Sequence, residues 1–124
     1  MAKILVVDDD ERNLRLAAAA LEQAGHEVLG AGGGAEGVEA ALAHAPDLVL
    51  MDVQMPGMDG ITALKRLRAA PRTAALKVVA LTALAMKGDA ERLLKEDFDG
   101  YLETPIRYKE FLASVAALLA GTSA

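Results

Sequence analysis

The stretch Lys3-Ile4-Leu5-Val6-Val7-Asp8-Asp9-Asp10 decides the fold. A short run rich in β-branched residues that stops on three acids has the pattern of a strand buried on both faces, as the strands of parallel sheets are. Asp47-Leu48-Val49-Leu50-Met51-Asp52 repeats the pattern and again ends on an acid. Leu76 to Leu81, closed by Thr82, forms a fourth run, with a weaker second one at His26 to Ala31 and a short fifth at Gly100 to Glu103. Between these runs the apolar spacing changes. Leu14, Ala17, Ala18, Leu21 and Ala24 recur at helical intervals, and Gly25 supplies a stop. Helices are likewise expected over Ala35–Ala45 (closed by Pro46), Ile61–Ala70, Met86–Glu96 and Arg107–Leu119. Five strands alternating with five helices predict an α/β domain, a (βα)5 doubly wound, five-stranded parallel sheet in the order 2-1-3-4-5.

Composition narrows the function. The chain has 124 residues, which points to one domain, here expected over residues 1–120 with a fraying tail at 121–124. Hydrophobic residues make up 53% and charged residues 25%, too apolar for a disordered chain and too charged for a membrane protein. No apolar stretch approaches the ~18 residues of a spanning helix, and the apolar run after Lys3 is shorter than the roughly 7–15 residues of a signal peptide. A cytoplasmic location is therefore expected. The absence of cysteine removes disulfides, thiol catalysis and thiolate metal sites. A net charge of −5, 3% aromatic residues and no Trp argue against nucleic-acid binding. His26 and His44 stand far apart, among apolar and turn residues, and predict surface positions rather than a metal site.

The acids at the strand ends carry the chemistry. In doubly wound sheets, ligands bind beyond the carboxyl ends of the strands where the strand order reverses. Asp8 and Asp9 end the first strand, Asp52 the third and Thr82 the fourth. With neighbouring strands ~4.8 Å apart, these residues are expected to meet in one shallow pocket. Three carboxylates so close repel one another, and Mg²⁺ suits a shallow site of carboxylates, a backbone carbonyl and several waters. Aspartates after a strand also cap helices, and Asp10 and Glu11 are candidates for that role. An acid ending a buried strand, as Asp52 does, is costly without a partner. Gly32-Gly33-Gly34 lacks the Gly-Lys-Ser/Thr of a phosphate-binding loop and is read as a turn.

Four segments together resemble the receiver domains of two-component response regulators: Val6-Val7-Asp8-Asp9, Leu50-Met51-Asp52-Val53-Gln54-Met55-Pro56-Gly57-Met58-Asp59-Gly60, Ala80-Leu81-Thr82-Ala83, and Asp99-Gly100-Tyr101-Leu102 before Pro105. Leu81 to Asp89 looks most like single-domain regulators of the DivK type and the receivers of hybrid kinases. The resemblance implies a flavodoxin-like receiver fold and a phosphorelay role. Asp52 would accept a phosphoryl group from a phosphohistidine on a sensor histidine kinase or a histidine phosphotransfer protein. Asp8, Asp9, Asp52 and the Gln54 backbone carbonyl would hold Mg²⁺. Thr82 would bond a phosphoryl oxygen, Tyr101 would be the switch aromatic, and Gln54 and Leu84 would tune dephosphorylation. A downstream target protein would read the face from Asp89 to Leu119, where Lys87, Arg92, Lys95, Arg107 and Lys109 add positive charge. Neither nucleic acid nor membrane is expected as a partner, and no enzymatic turnover beyond self-phosphorylation and self-dephosphorylation.

Two positions depart from the family. Thr104 stands before Pro105 where receivers carry a lysine, which removes a cation from the phosphoryl site. Asp97 replaces a frequent glycine at the end of the expected Met86–Glu96 helix. Thr104 opens an alternative, a degenerate receiver that binds partners without phosphorylation. Val6-Val7-Asp8-Asp9-Asp10 also fits the start of haloacid dehalogenase-type phosphatases, although that family expects Thr or Val where Arg12 stands and a longer, capped chain.

Overall fold

The computed structural model describes residues 2–53, 55, 57–82, 98–103 and 107–120; of Thr82 and Glu103 it describes only the backbone. The strands are β1 (Lys3–Val7), β2 (Glu27–Ala31), β3 (Leu48–Asp52), β4 (Lys77–Thr82) and β5 (Gly100–Glu103). The described helices are α1 (Glu11–Gln23), α2 (Gly34–His44), α3 (Gly60–Ala69) and α4 (Tyr108–Leu119). All strand pairs are parallel, in the order β2-β1-β3-β4-β5. This is the expected topology, with element ends within a residue or so of those predicted. The expected helix at Met86–Glu96 and the tail at 121–124 lie outside the described residues.

The continuous apolar runs divide by residue parity, as buried parallel strands must. Leu5, Val7, Val49, Met51, Val78 and Ala80 face one layer, with Ala41 of α2 and Ala63, Leu64 and Leu67 of α3. Ile4, Val6, Leu48, Leu50, Val79 and Leu81 face the other, with Ala17 and Leu21 of α1 and Phe111, Val115 and Leu118 of α4. Small residues bring the helices close. A Cβ on Gly37 would lie 2.7 Å from Val7 Cγ2, so α2 can seat on β1 at this distance only without a side chain there.

The helix ends follow local chemistry. Asp10 caps α1, its Oδ1 accepting from the Arg12 and Asn13 amides at 2.9 and 3.3 Å. Asp59 caps α3 through the Thr62 amide at 2.8 Å. The glycine turn leads into α2, where Gly33 is the cap and the Glu36 carboxylate reaches back to the Gly32 amide. That helix ends on Ala45 at φ +47°, a left-handed conformation that usually falls to glycine. His44 is exposed, as expected. His26 is not: it is half-buried, and its Nδ1 accepts from the Ala2 amide at 3.1 Å, holding the start of β1.

Candidate functional site

The carboxyl ends of β1 and β3 lie side by side, with Val7 paired to Met51. The next residue on each strand is an aspartate. Asp8, Asp9 and Asp52 converge so that one carboxylate oxygen of each lies within 4.8 Å of the others. Asp8 is only 2% exposed, Asp52 is half-buried and Asp9 is open to solvent. Among the described residues this is the group of acids able to hold a metal ion.

Asp8 is held from two sides. Its amide donates to the Ala31 carbonyl at 3.0 Å, and its Oδ1 accepts from the Asp10 amide at 2.8 Å. Burial raises the carboxyl above its ordinary range. The Asp10 amide and the Asp52 side chain act against this, while the charges of Asp9 and Asp10 reinforce it. Among the described residues no lysine or arginine pairs with Asp8 or Asp9. The donor set is all oxygen, partly enclosed and rich in negative charge, which fits a hard divalent cation. Asp59, by contrast, is held below the usual carboxylate range, chiefly by the Thr62 amide it accepts from.

The loop after Asp52 is anchored at both ends. The Val53 amide donates to Leu81 O at 3.2 Å, and the Gly60 amide to Val53 O at 3.0 Å. Gly60 has no room for a side chain, since a Cβ there would lie 2.3 Å from the Asp52 carbonyl oxygen and 2.9 Å from Val53 Cα. Gly34, at the start of α2, meets the same loop from the other side, and its Cβ would come within 2.5 Å of the Met58 carbonyl oxygen. These two glycines let the starts of α2 and α3 pack closely against the loop that follows Asp52, and sequence reasoning missed them. The available signal was a glycine placed directly after a helix cap, Asp59-Gly60, where most residues would serve.

Of the other expected site residues, Thr82 ends β4, with Asp52 paired to its neighbour Leu81. This register places Thr82 at the same sheet edge as the acids. Tyr101 lies on β5 opposite Ala80 and is 36% exposed. Gln54, Leu84, Asp97 and Thr104 lie outside the described residues, as do Lys87, Arg92 and Lys95. On the expected output face, Arg107 and Lys109 are exposed, and Arg107 pairs with Glu110 at 3.8 Å.

A parallel sheet in this order, with an acidic pocket at its switch point, defines a doubly wound α/β module whose candidate ligand site lies at the carboxyl edge of the strands. The model of the response regulator receiver domain matches residues 4–116, and the chain belongs to this family. The polar-differentiation response regulator DivK of Brucella anthropi is 34% identical over 116 residues, covering 94% of each chain. The receiver domain of the Francisella response regulator 1452 superposes with a TM-score of 0.88 at 29% identity, covering 98% of both chains. The chemotaxis protein CheY4 of Vibrio cholerae superposes with a TM-score of 0.87 at 27% identity, covering 94% of this chain and 97% of its own. Receiver domains are signalling modules of two-component systems rather than classical enzymes, and they bind Mg²⁺ at an acidic pocket. Among the described residues no helix is long and apolar enough to cross a membrane.

Proposed function

We propose that this receiver works in a phosphorelay, accepting a phosphoryl group on Asp52 from a phosphohistidine of a sensor histidine kinase or phosphotransfer protein. The observation that carries the reading is the convergence of Asp8, Asp9 and Asp52 at the carboxyl edge of β1 and β3. An Asp52 carboxylate oxygen attacks phosphorus, the phosphorus–nitrogen bond breaks, and the electron pair returns to the imidazole. Asp8, Asp9, Asp52 and the Gln54 carbonyl are the residues that would hold Mg²⁺, which neutralises charge on the transferring group. Burial of Asp8 supports this reading, because a carboxylate kept from water gains more from a cation than an exposed one does. The Val53 and Gly60 amide hydrogen bonds anchor the backbone beside Asp52 before the phosphoryl group arrives, an orientation cost already met by the fold.

Thr82 then donates to a phosphoryl oxygen, and Tyr101 moves inward as the switch that a partner reads on the face from Asp89 to Leu119. The protein acts in the cytoplasm through protein contacts. Acetyl phosphate with Mg²⁺ should add the mass of one phosphoryl group to the intact protein. Asp52→Asn should abolish that gain while leaving the protein folded. A full mass gain in the variant, or none in the parent, overturns the proposal.

Thr104 favours one refinement, that phosphorylation and switching are weakly coupled. A threonine hydroxyl offers the phosphoryl group one neutral hydrogen bond, whereas a lysine offers a charge-assisted bond roughly twice as strong. The active state, stabilised only by its extra affinity for the phosphoryl group, is then less populated. Thr104→Lys should leave phosphorylation yield unchanged and increase inward rotation of Tyr101. A parent that already rotates fully on phosphorylation, with no gain from lysine, removes the refinement.

A further inference from the structure

The charge of this acidic chain is unevenly spread. Of its 13 lysines and arginines, five (Lys65, Arg66, Arg68, Arg72 and Lys77) fall within residues 60–77, and none of its 18 aspartates and glutamates does. That segment is α3, the loop after it and the first residue of β4, carrying +5 on a molecule whose remainder carries −10.

Lys77 and Arg68 are used internally. Lys77 Nζ donates to the Leu118 carbonyl. Arg68 is a clamp: its guanidinium donates to the carbonyls of Ala74 and Leu76 and pairs with Asp99 at 2.9 Å. The loop is further ordered by Thr73, which is buried and donates its hydroxyl to Leu67 O at 2.6 Å. The Thr73 and Leu76 amides close turns onto Ala70 and Thr73, each at 3.1 Å. Lys65, Arg66 and Arg72 are exposed on this fixed frame, and the charge of Lys65 acts on the Asp59 carboxylate. Neither Arg66 nor Arg72 makes a hydrogen bond or ion pair with a described residue.

We infer that the solvent face of α3 and the α3–β4 loop is a docking surface for an acidic protein segment. The charge of the patch and its preorganisation point to this occupant. Because the loop is already ordered, a partner meets little backbone entropic cost in binding at Arg72, and planar guanidinium groups match carboxylates in two-point contacts. The α3–β4 loop, with Arg72, stands at the amino end of β4, roughly 15–20 Å along the strand from the acidic pocket, so an anionic partner seated on the loop escapes most of the pocket's repulsion. A lipid surface fits poorly, since the apolar residues of α3, Ala63, Leu64 and Leu67, are fully buried and cannot insert. Nucleic acid fits poorly as well: three exposed cations are fewer than the roughly 6–10 phosphate contacts of strong duplex binders, and the rest of the molecule repels phosphate.

Isotope-labelled protein is titrated at low salt with an oligoglutamate peptide, with duplex DNA and phosphatidylserine vesicles as parallel arms. The amide signals of residues 65–76 should move with the peptide and return as salt rises, while those of residues 8–10 stay in place. Arg66→Glu with Arg72→Glu should weaken the effect roughly ten-fold or more, and Arg66→Gln with Arg72→Gln by an intermediate amount. Both side chains are exposed and outside the core, so an unchanged spectrum elsewhere verifies the fold. Shifts that map to other residues, that survive charge reversal, or that are larger with DNA or vesicles overturn the inference.

Discussion

The two ends of the sheet treat charge in opposite ways. At the carboxyl end, Asp8, Asp9 and Asp52 crowd together, and Asp8 is buried with its carboxyl pushed toward the protonated form. At the amino end, Arg68 meets Asp99, and Asp99 in turn accepts from the Val78 amide at 2.8 Å, so that charges and backbone groups satisfy one another. One arrangement stores repulsion that a bound cation can relieve. The other fixes the loop before β4 and the start of β5. Functional sites tolerate local instability for the sake of reactivity, whereas structural clusters are built to be complete. Burial alone does not separate the two ends; the presence or absence of complementary groups does.

The largest expected effect is at the pocket's backbone. Gly60→Ala forces a methyl group against the Asp52 carbonyl and should cost about 3 kcal/mol in denaturant unfolding, with loss of acetyl-phosphate labelling. Gly37→Ala is the comparison: its methyl meets the Val7 side chain rather than backbone, so it should destabilise less and lose less labelling than Gly60→Ala. If both variants label equally well, the close approach at Gly60 does not position Asp52.

Arg68→Ala tests the opposite end. It strands two loop carbonyls and Asp99, and should cost roughly 2 kcal/mol with Mg²⁺ binding unchanged. Asp8→Asn should have the reverse sign. A raised carboxyl pKa in the folded state means that this group favours folding while protonated and that the benefit is lost as pH rises through the folded value. The asparagine variant should therefore be about 1 kcal/mol more stable than the parent at neutral pH without Mg²⁺, the gain shrinking in acid. Thermal melts at two pH values, with and without Mg²⁺, check this; a destabilised variant at neutral pH would show that the pocket is not strained. The smallest effect is at Ala45, whose φ of +47° suits glycine. Ala45→Gly should change the unfolding free energy by about +0.5 kcal/mol, with no effect at either end of the sheet.

Much of this architecture was legible in the chain. Continuous apolar runs ending on Asp8, Asp52 and Thr82, separated by helical spacing, imply a parallel sheet, and its crossover handedness carries those ends to one edge. The acids were legible because a charged residue closing a buried run conflicts with its surroundings, and such conflicts mark sites. His26 was misread because its role is a hydrogen bond to Ala2, a residue 24 positions away, and no local pattern encodes it.

The amino-acid sequence by itself determined the strand count, the order of the sheet and the edge at which the acids gather, since these follow from hydrophobic periodicity and chain connectivity. Only the tertiary structure decided which acid is buried, which glycines allow close packing around the loop after Asp52 and where the cations of α3 point. Arg68 and Arg72 are indistinguishable as letters. One folds back onto loop carbonyls and Asp99 while the other faces water, because a side chain's partners are set by segments that meet only when the chain is packed.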